Sequence, residues 1–329
     1  MAQGLDVTQW QNELVEACKH GDESRARALR ARLGVQPRRA RVLLEAMLED
    51  PDALVRQAAA FGLGELGGAI SARRLEQQLT LEEARADYDG ESVVEAITQA
   101  LGRIEEAGAR AGLVRRLKRL ASGEPDAGDI NTLACALWRR RHPDLLPVIQ
   151  QSLEQFPLPA PTSLHGLLVL LEKSPEALRI WAADSSVAVE EKSEVLWVLT
   201  EQVPDALVPT LLAFISTARA LLDTAEHQQE AASDYHEALL SLLLRHREHL
   251  IPRLPDKVRS ELRALARELV TTTALLNCSL RAAVLLKFVG HPEDAALLDA
   301  HRPAEPVLAK VFEDAAQALR QRLGGGERS

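Results

Sequence analysis

The clearest hydrophobic pattern in the chain lies between Asp52 and Gly67, where Val55, Ala58, Ala59, Gly62, Leu63 and Leu66 recur at three- and four-residue intervals. That spacing lines one face of a helix. Asp52, after Pro51, stands where an N-cap belongs, and Gly67-Gly68 supplies the stop. Thirty-eight residues on the pattern returns, with Val55 mapping to Val93, Ala58 to Ala96, Ala59 to Ile97, Leu63 to Leu101, Gly64 to Gly102 and Leu66 to Ile104. Ile130, Leu133, Ala134 and Leu137 form a looser copy. Near the C-terminus, Leu280 to Asp294 reads as the end of a further unit, with Gly290, His291 and Pro292 in a turn and a new helix from Ala295.

Helix breakers divide the rest. The spacing predicts helices near 6–20, 22–33, 37–49, 52–67, 70–86, 91–106, 109–121, 128–141, 144–155, 162–173, 175–183, 187–202, 205–222, 227–248, 256–271, 276–289, 292–300 and 304–323. The expected fold is all-α, an α-solenoid of about nine stacked antiparallel helix pairs running as one array over 1–323. The repeat is clearest in 37–141 and 256–300 and degenerate between about 145 and 275. Asp223 to Ser233 reads as either helix or loop, and 324–329 as a disordered tail. A chain of 329 residues exceeds one ordinary compact domain. Stacked units escape that limit because each buries its apolar face on its neighbours.

These copies resemble the HEAT-like repeats found in many bacterial proteins, including the phycobilisome-lyase type of HEAT repeat. The first two copies carry the likeness best, and the one ending at Asp294 carries it in part. The resemblance implies a helical array used for protein binding and brings no particular activity with it.

Composition narrows the picture further. Hydrophobic residues make up 46% of the chain and aromatic residues only 3%, a Leu/Ala/Val mixture that favours helix. A net charge of −9 counts against a dedicated nucleic-acid binder, because phosphate backbones attract basic surfaces. Cys18, Cys135 and Cys278 are odd in number and far apart, which fits reduced thiols in a cytoplasm. Met1 to Trp10 shows no secretory pattern, and no apolar run is long enough for membrane insertion.

Candidate chemistry is sparse. Gly62, Gly64 and Gly102 weaken a helix and are best explained by close approach of neighbouring helices. Arg56 is expected to pair with acidic neighbours such as Asp52 or Glu95 and so hold units in register. His246 and His249 share a helix face near His236-Glu237, yet sit among arginines and offer no third ligand. HEAT-like deoxyhypusine hydroxylases use repeated His-Glu pairs, and this chain has a single one. HEAT-like DNA glycosylases place aromatic and acidic groups in a basic groove. Trp138, Trp181 and Trp197, with Asp184 and Glu201, supply the residue types, although Glu172 to Glu237 holds thirteen acidic and four basic residues. Seam-filling is the expected role of these tryptophans.

Charge is nonetheless uneven. Arg115, Arg116 and Arg119 fall on one predicted helix and Arg139, Arg140 and Arg141 end the next. Stacking of that pair would join them into one exposed patch suited to an acidic protein surface. The function expected from sequence is therefore a non-catalytic cytoplasmic scaffold or adaptor with a protein partner, no cofactor and no metal. The alternatives are a HEAT-like DNA glycosylase or nucleic-acid-binding protein, and a lyase-like chaperone for a prosthetic group.

Overall fold

The computed structural model describes residues 7–32, 37–85, 87–123, 126–157, 161–223, 229–272 and 276–325. Among them are nineteen α-helices and no strand. The protein is an all-α solenoid. The chain divides into two compact units, Met1–Leu164 and His165–Ser329.

The first unit contains α1 (Val7–Lys19), α2 (Glu23–Arg32), α3 (Pro37–Met47), α4 (Ala53–Leu66), α5 (Gly68–Glu83), α6 (Tyr88–Arg103), α7 (Ala107–Ala121), α8 (Ala127–Arg139) and α9 (Leu145–Leu153). Alternate helices stack in two rows: α4, α6 and α8 in one, α5, α7 and α9 in the other. The α1–α2 hairpin packs against α4. Leu63 and Leu101, the paired positions of the 38-residue repeat, are both wholly buried, as are Val93 and Ile97.

Local chemistry sets the helix ends. The Asp52 carboxylate accepts the Leu54 N–H at 2.8 Å and so satisfies one of the orphan donors of α4. Gly67 and Gly68 adopt φ of 69° and 83°, the left-handed region glycine tolerates, where α4 stops and α5 begins. Helix α6 starts three residues before its expected position because Asp87 caps it through the Gly90 N–H.

Backbones in the α4 row approach within the reach of a methyl group. A Cβ added at Gly64 would lie 2.9 Å from Cα of Ala100, and one at Gly102 would lie 3.0 Å from Cα of Ala136. One stripe, small-x-Gly, therefore repeats as Gly62-x-Gly64 and Ala100-x-Gly102. It ends at Ala136, where Trp138 occupies the place of the second glycine.

The second unit opens with α10 (Thr162–Glu172), which crosses the division. It continues with α11 (Pro175–Ala183), α12 (Val189–Leu199), α13 (Leu211–Ala220), α14 (Gln229–Arg245), α15 (Arg247–Leu250), α16 (Asp256–Thr271), α17 (Leu276–Val289), α18 (Asp294–Ala300) and α19 (Pro306–Gly325). Its rows are α12, α14, α17, α19 and α11, α13, α16, α18. The helix expected over 205–222 is instead a 3-10 segment, Asp205–Thr210, leading into α13; Pro209 lies inside it and has no N–H to give. Of the stretch left open at Asp223–Ser233, residues 229–233 are helical and 224–228 lie outside the described residues. Helix α19 runs to Gly325, two residues into the expected tail, and 326–329 lie outside the described residues.

Gly64→Ala and Gly102→Ala should each destabilise the protein by about 1–3 kcal/mol, since the added methyl meets backbone that cannot yield easily. Gly108→Ala on α7, where nothing lies within 4 Å, should be neutral or stabilising by up to about 1 kcal/mol. Urea unfolding midpoints measured at unchanged slope check both.

Candidate protein-binding surface

The arginines singled out from sequence lie on α7 and α8, and the structure separates them. Helices α7 and α8 form a hairpin, so the C-terminal half of α7 faces the start of α8 and the end of α8 returns to the start of α7. Arg116 donates to Asp129 in the first turn of α8 at 2.6 Å. At the other end Arg110 of α7 lies 4.0 Å from Asp144, beyond α8. The α8 helix has thirteen residues and spans about 20 Å at 1.5 Å per residue. The single patch expected from Arg115, Arg116, Arg119 and Arg139–Arg141 therefore does not form.

Arg116 is moreover wholly buried. Its guanidinium donates to Thr98 Oγ1 on α6 at 2.8 Å, to Glu83 on α5 at 3.2 Å and to Asp129 on α8. One side chain thus ties four helices together across both rows. Arg115 and Arg119 are exposed, but each bonds to α5. Arg115 grips Glu76 with Nε–Oε1 at 2.5 Å and Nη2–Oε2 at 2.7 Å, and Arg119 reaches Glu83 at 3.0 Å. The surface beside them is acidic. A cleft of about 410 Å³ is lined by Glu82, Glu83, Glu91, Asp126 and Asp129 with Arg116 and Arg119. A neighbouring one of about 360 Å³ shares Glu91, Asp126 and Asp129 and adds Glu95 and the exposed Tyr88.

Arg139, Arg140 and Arg141 are half-buried at the opposite end. Arg141 donates Nη1 to the Trp138 carbonyl at 3.1 Å and stacks 4.7 Å above the Trp138 ring. Burial holds the Arg140 guanidinium below its ordinary pKa, with Glu105 opposing and Arg139, Arg141 and Arg110 adding to the depression. Sequence reasoning did not single out Arg110 or Glu105, which enter only through the hairpin.

Arg56 pairs with neither Asp52 nor Glu95. It is buried against Glu82 of α5, Nε–Oε1 2.9 Å, and its Nη1 donates to the carbonyls of Asp50 and Pro51 at 2.9 Å each. Gln78 and Arg85 also bond to Glu82, so the carboxylate is held on several sides. The register role expected of Arg56 is therefore carried by the next helix in the chain.

The other candidates are likewise committed to packing. In the second unit His236 is wholly buried with Nε2 2.7 Å from the Ala218 carbonyl, and Glu237 pairs with Arg281. His246 Nε2 lies 2.9 Å from the Thr200 carbonyl. Asp294 is buried between Arg263 and Arg267 of α16 and accepts the His291 N–H at 2.8 Å. Burial pushes its carboxyl up, but these donors outweigh it and hold the pKa below the ordinary value. Burial pushes the Cys18 and Cys278 thiols up to about 11, far from thiolate reactivity. Trp138 is buried, whereas Trp197 is 38% exposed. Among the described residues no three His, Cys, Asp or Glu side chains are grouped to hold a metal ion. No helix among them is long and apolar enough to cross a membrane.

The HEAT repeat family model matches residues 41–69, from within α3 through α4 to the start of α5. The match places a HEAT repeat within the stacked helices α3, α4 and α5. No curated protein matches the chain.

Replacing Arg116 by Gln should cost about 1–3 kcal/mol, because the buried Thr98 hydroxyl and the carboxylates of Asp129 and Glu83 lose a donor; Arg115→Gln should stay within about 1 kcal/mol. Chemical denaturation of the two variants checks the contrast. Burial lowers the pKa of His236, so the unfolded state takes the proton first. Stability should then fall as pH drops below about 6.5 and recover above it. Urea midpoints between pH 5 and 7.5 should show that limb in the parent and a flatter one in His236→Gln.

Proposed function

We propose that the protein is a non-catalytic adaptor that presents the surface of its helix array to another polypeptide. The observation that carries this reading is the HEAT repeat matched at 41–69 inside a stacked array, since such arrays offer extended binding surfaces that single helices do not. The buried polar side chains support it: Arg56, Glu82, Arg116, His236 and Asp294 are bonded across helices and so serve the packing of the array. The net charge of −9 favours a protein over a nucleic acid as partner. The likeness to phycobilisome-lyase-type repeats and the three separate thiols lead us to place it in a bacterial cytoplasm.

Cross-linking of the intact protein in its source cell, followed by mass spectrometry, tests the proposal. One protein should be cross-linked reproducibly and bind the purified chain saturably. Co-purification of nuclease-sensitive nucleic acid, lost steeply with added salt, would contradict it and favour a nucleic-acid role. A coloured bound ligand would contradict it in favour of a prosthetic-group chaperone.

A further inference from the structure

A groove runs along one edge of the first unit, where α5 and α7 end and α6 and α8 begin. It joins the two clefts of about 410 and 360 Å³, which share Glu91, Asp126 and Asp129. Val94 of α6 and the half-buried Leu120 of α7 give it an apolar lining. Tyr88 lines the smaller cleft and stands 82% exposed. A single exposed apolar residue is ordinary on a protein surface. At the mouth of a groove, however, an aromatic ring is the kind of side chain that anchors a polypeptide partner.

The carboxylates around this lining are of two kinds. Glu82 is met by Arg56 and Arg85, Glu83 by Arg116 and Arg119, and Asp129 by Arg116. Glu91, Glu95 and Asp126 have no ion pair among the described residues. The Glu95 carboxylate accepts only the Gln99 amide, at 3.1 Å, and that of Asp126 only the Gly128 N–H, at 2.6 Å. The positive end of a helix accounts for Glu91 and Asp126, which stand at the starts of α6 and α8. It does not account for Glu95. That residue lies one turn further along α6 on the same face as Glu91, a spacing at which like charges repel. Among the described residues no three acidic, His or Cys side chains are grouped around one point to hold a metal ion. The acids are instead spread along the groove, as cationic side chains are spread along a polypeptide.

We propose that this groove docks a basic segment of the partner polypeptide. Lys or Arg side chains of the segment pair with Glu91, Glu95 and Asp126, and an apolar residue between them covers Val94, Leu120 and the Tyr88 ring. The proposal rests on the adaptor reading for the polypeptide that carries the segment. Charge selects the occupant: a nucleic acid or an acidic surface is repelled here, whereas a cationic chain meets carboxylates that have no counter-ion. Arginine has a further contact available, because its guanidinium stacks on an aromatic face such as that of Tyr88. The partner is thus opposite in sign to the one expected from the arginines of α7 and α8.

The test uses the full-length protein and a fluorescein-labelled, end-blocked peptide, Lys-Arg-Leu-Arg-Lys-Leu-Lys, followed by anisotropy at low and high salt. The same peptide with glutamate at every basic position is the comparison. The basic peptide should bind saturably and the acidic one should not, with affinity falling about tenfold from low to high salt. Glu91→Gln combined with Glu95→Gln should weaken binding about fivefold at low salt and little at high salt. Both residues are exposed, so urea midpoints should match the parent. Tyr88→Ala should weaken binding at both salts, because its apolar contact is not screened. Glu190→Gln with Glu191→Gln removes the same charge from the exposed start of α12 and should leave affinity unchanged. No binding by the parent, or equal binding by the Glu91/Glu95 variant at low salt, overturns the groove. An equal loss in the Glu190/Glu191 variant overturns it too, since the attraction is then to the acidic protein as a whole. Peptide binding as described, in a protein that cross-links to no partner, keeps the groove and removes the adaptor reading. A cross-linked partner held equally well by the Glu91/Glu95 variant keeps the adaptor reading and removes the groove.

Discussion

Everything in the first unit depends on how closely the helices of the α4 row approach. Gly64 sits on Ala100 and Gly102 on Ala136 at distances that leave no room for a methyl group. Beside those crossings, Leu63, Leu101 and Val93 of the same helices are wholly buried. The same device recurs in the second unit, where a Cβ at Gly166 of α10 would lie 2.8 Å from the backbone of Glu194 on α12. A helix pair cannot bury its own apolar face, so a small residue at the crossing is the condition for adding the next one.

Close stacking also explains where the charges go. Polar side chains bridge the helices at these crossings. Arg56 of α4 reaches Glu82 of α5 in the other row, and Arg116 of α7 reaches Thr98 of α6 and Asp129 of α8 across the rows and Glu83 of α5 within its own. Asp294 plays the complementary part in the second unit, an acid enclosed by arginines of α16. Removing one partner of such a group is far more damaging than the modest net value of the intact pair suggests. These polar residues therefore belong to the scaffold, and function is left to groups nearer the surface.

The fold was legible because its signals are local. Asp52, Gly67 and the apolar spacing each act within one helix; Asp52 caps α4, Gly67 ends it, and Ala58, Ala59, Gly62 and Leu63 are buried while Val55 and Leu66 are half-buried. The partner of Arg56 was not legible: Asp52 and Glu95 are plausible by helix spacing and repeat, while Glu82 is reached only through the packing of α5 on α4. Arg116 left a trace that spacing could have found. It falls in phase with Ala109, Gly112, Leu113, Leu117 and Ala121, the buried stripe of α7, and so could not be a surface residue. Gly166, within the apolar run from Leu164 to Leu171, carried a similar signal.

The stacking of the row is tested most directly by nuclear Overhauser contacts in protein labelled at alanine methyls. Strong cross-peaks are expected from the Ala100 methyl to the α-protons of Gly64 and from the Ala136 methyl to those of Gly102. If both alanines are well ordered and neither shows its glycine, the α4, α6 and α8 backbones do not meet, and the stacked arrangement is contradicted.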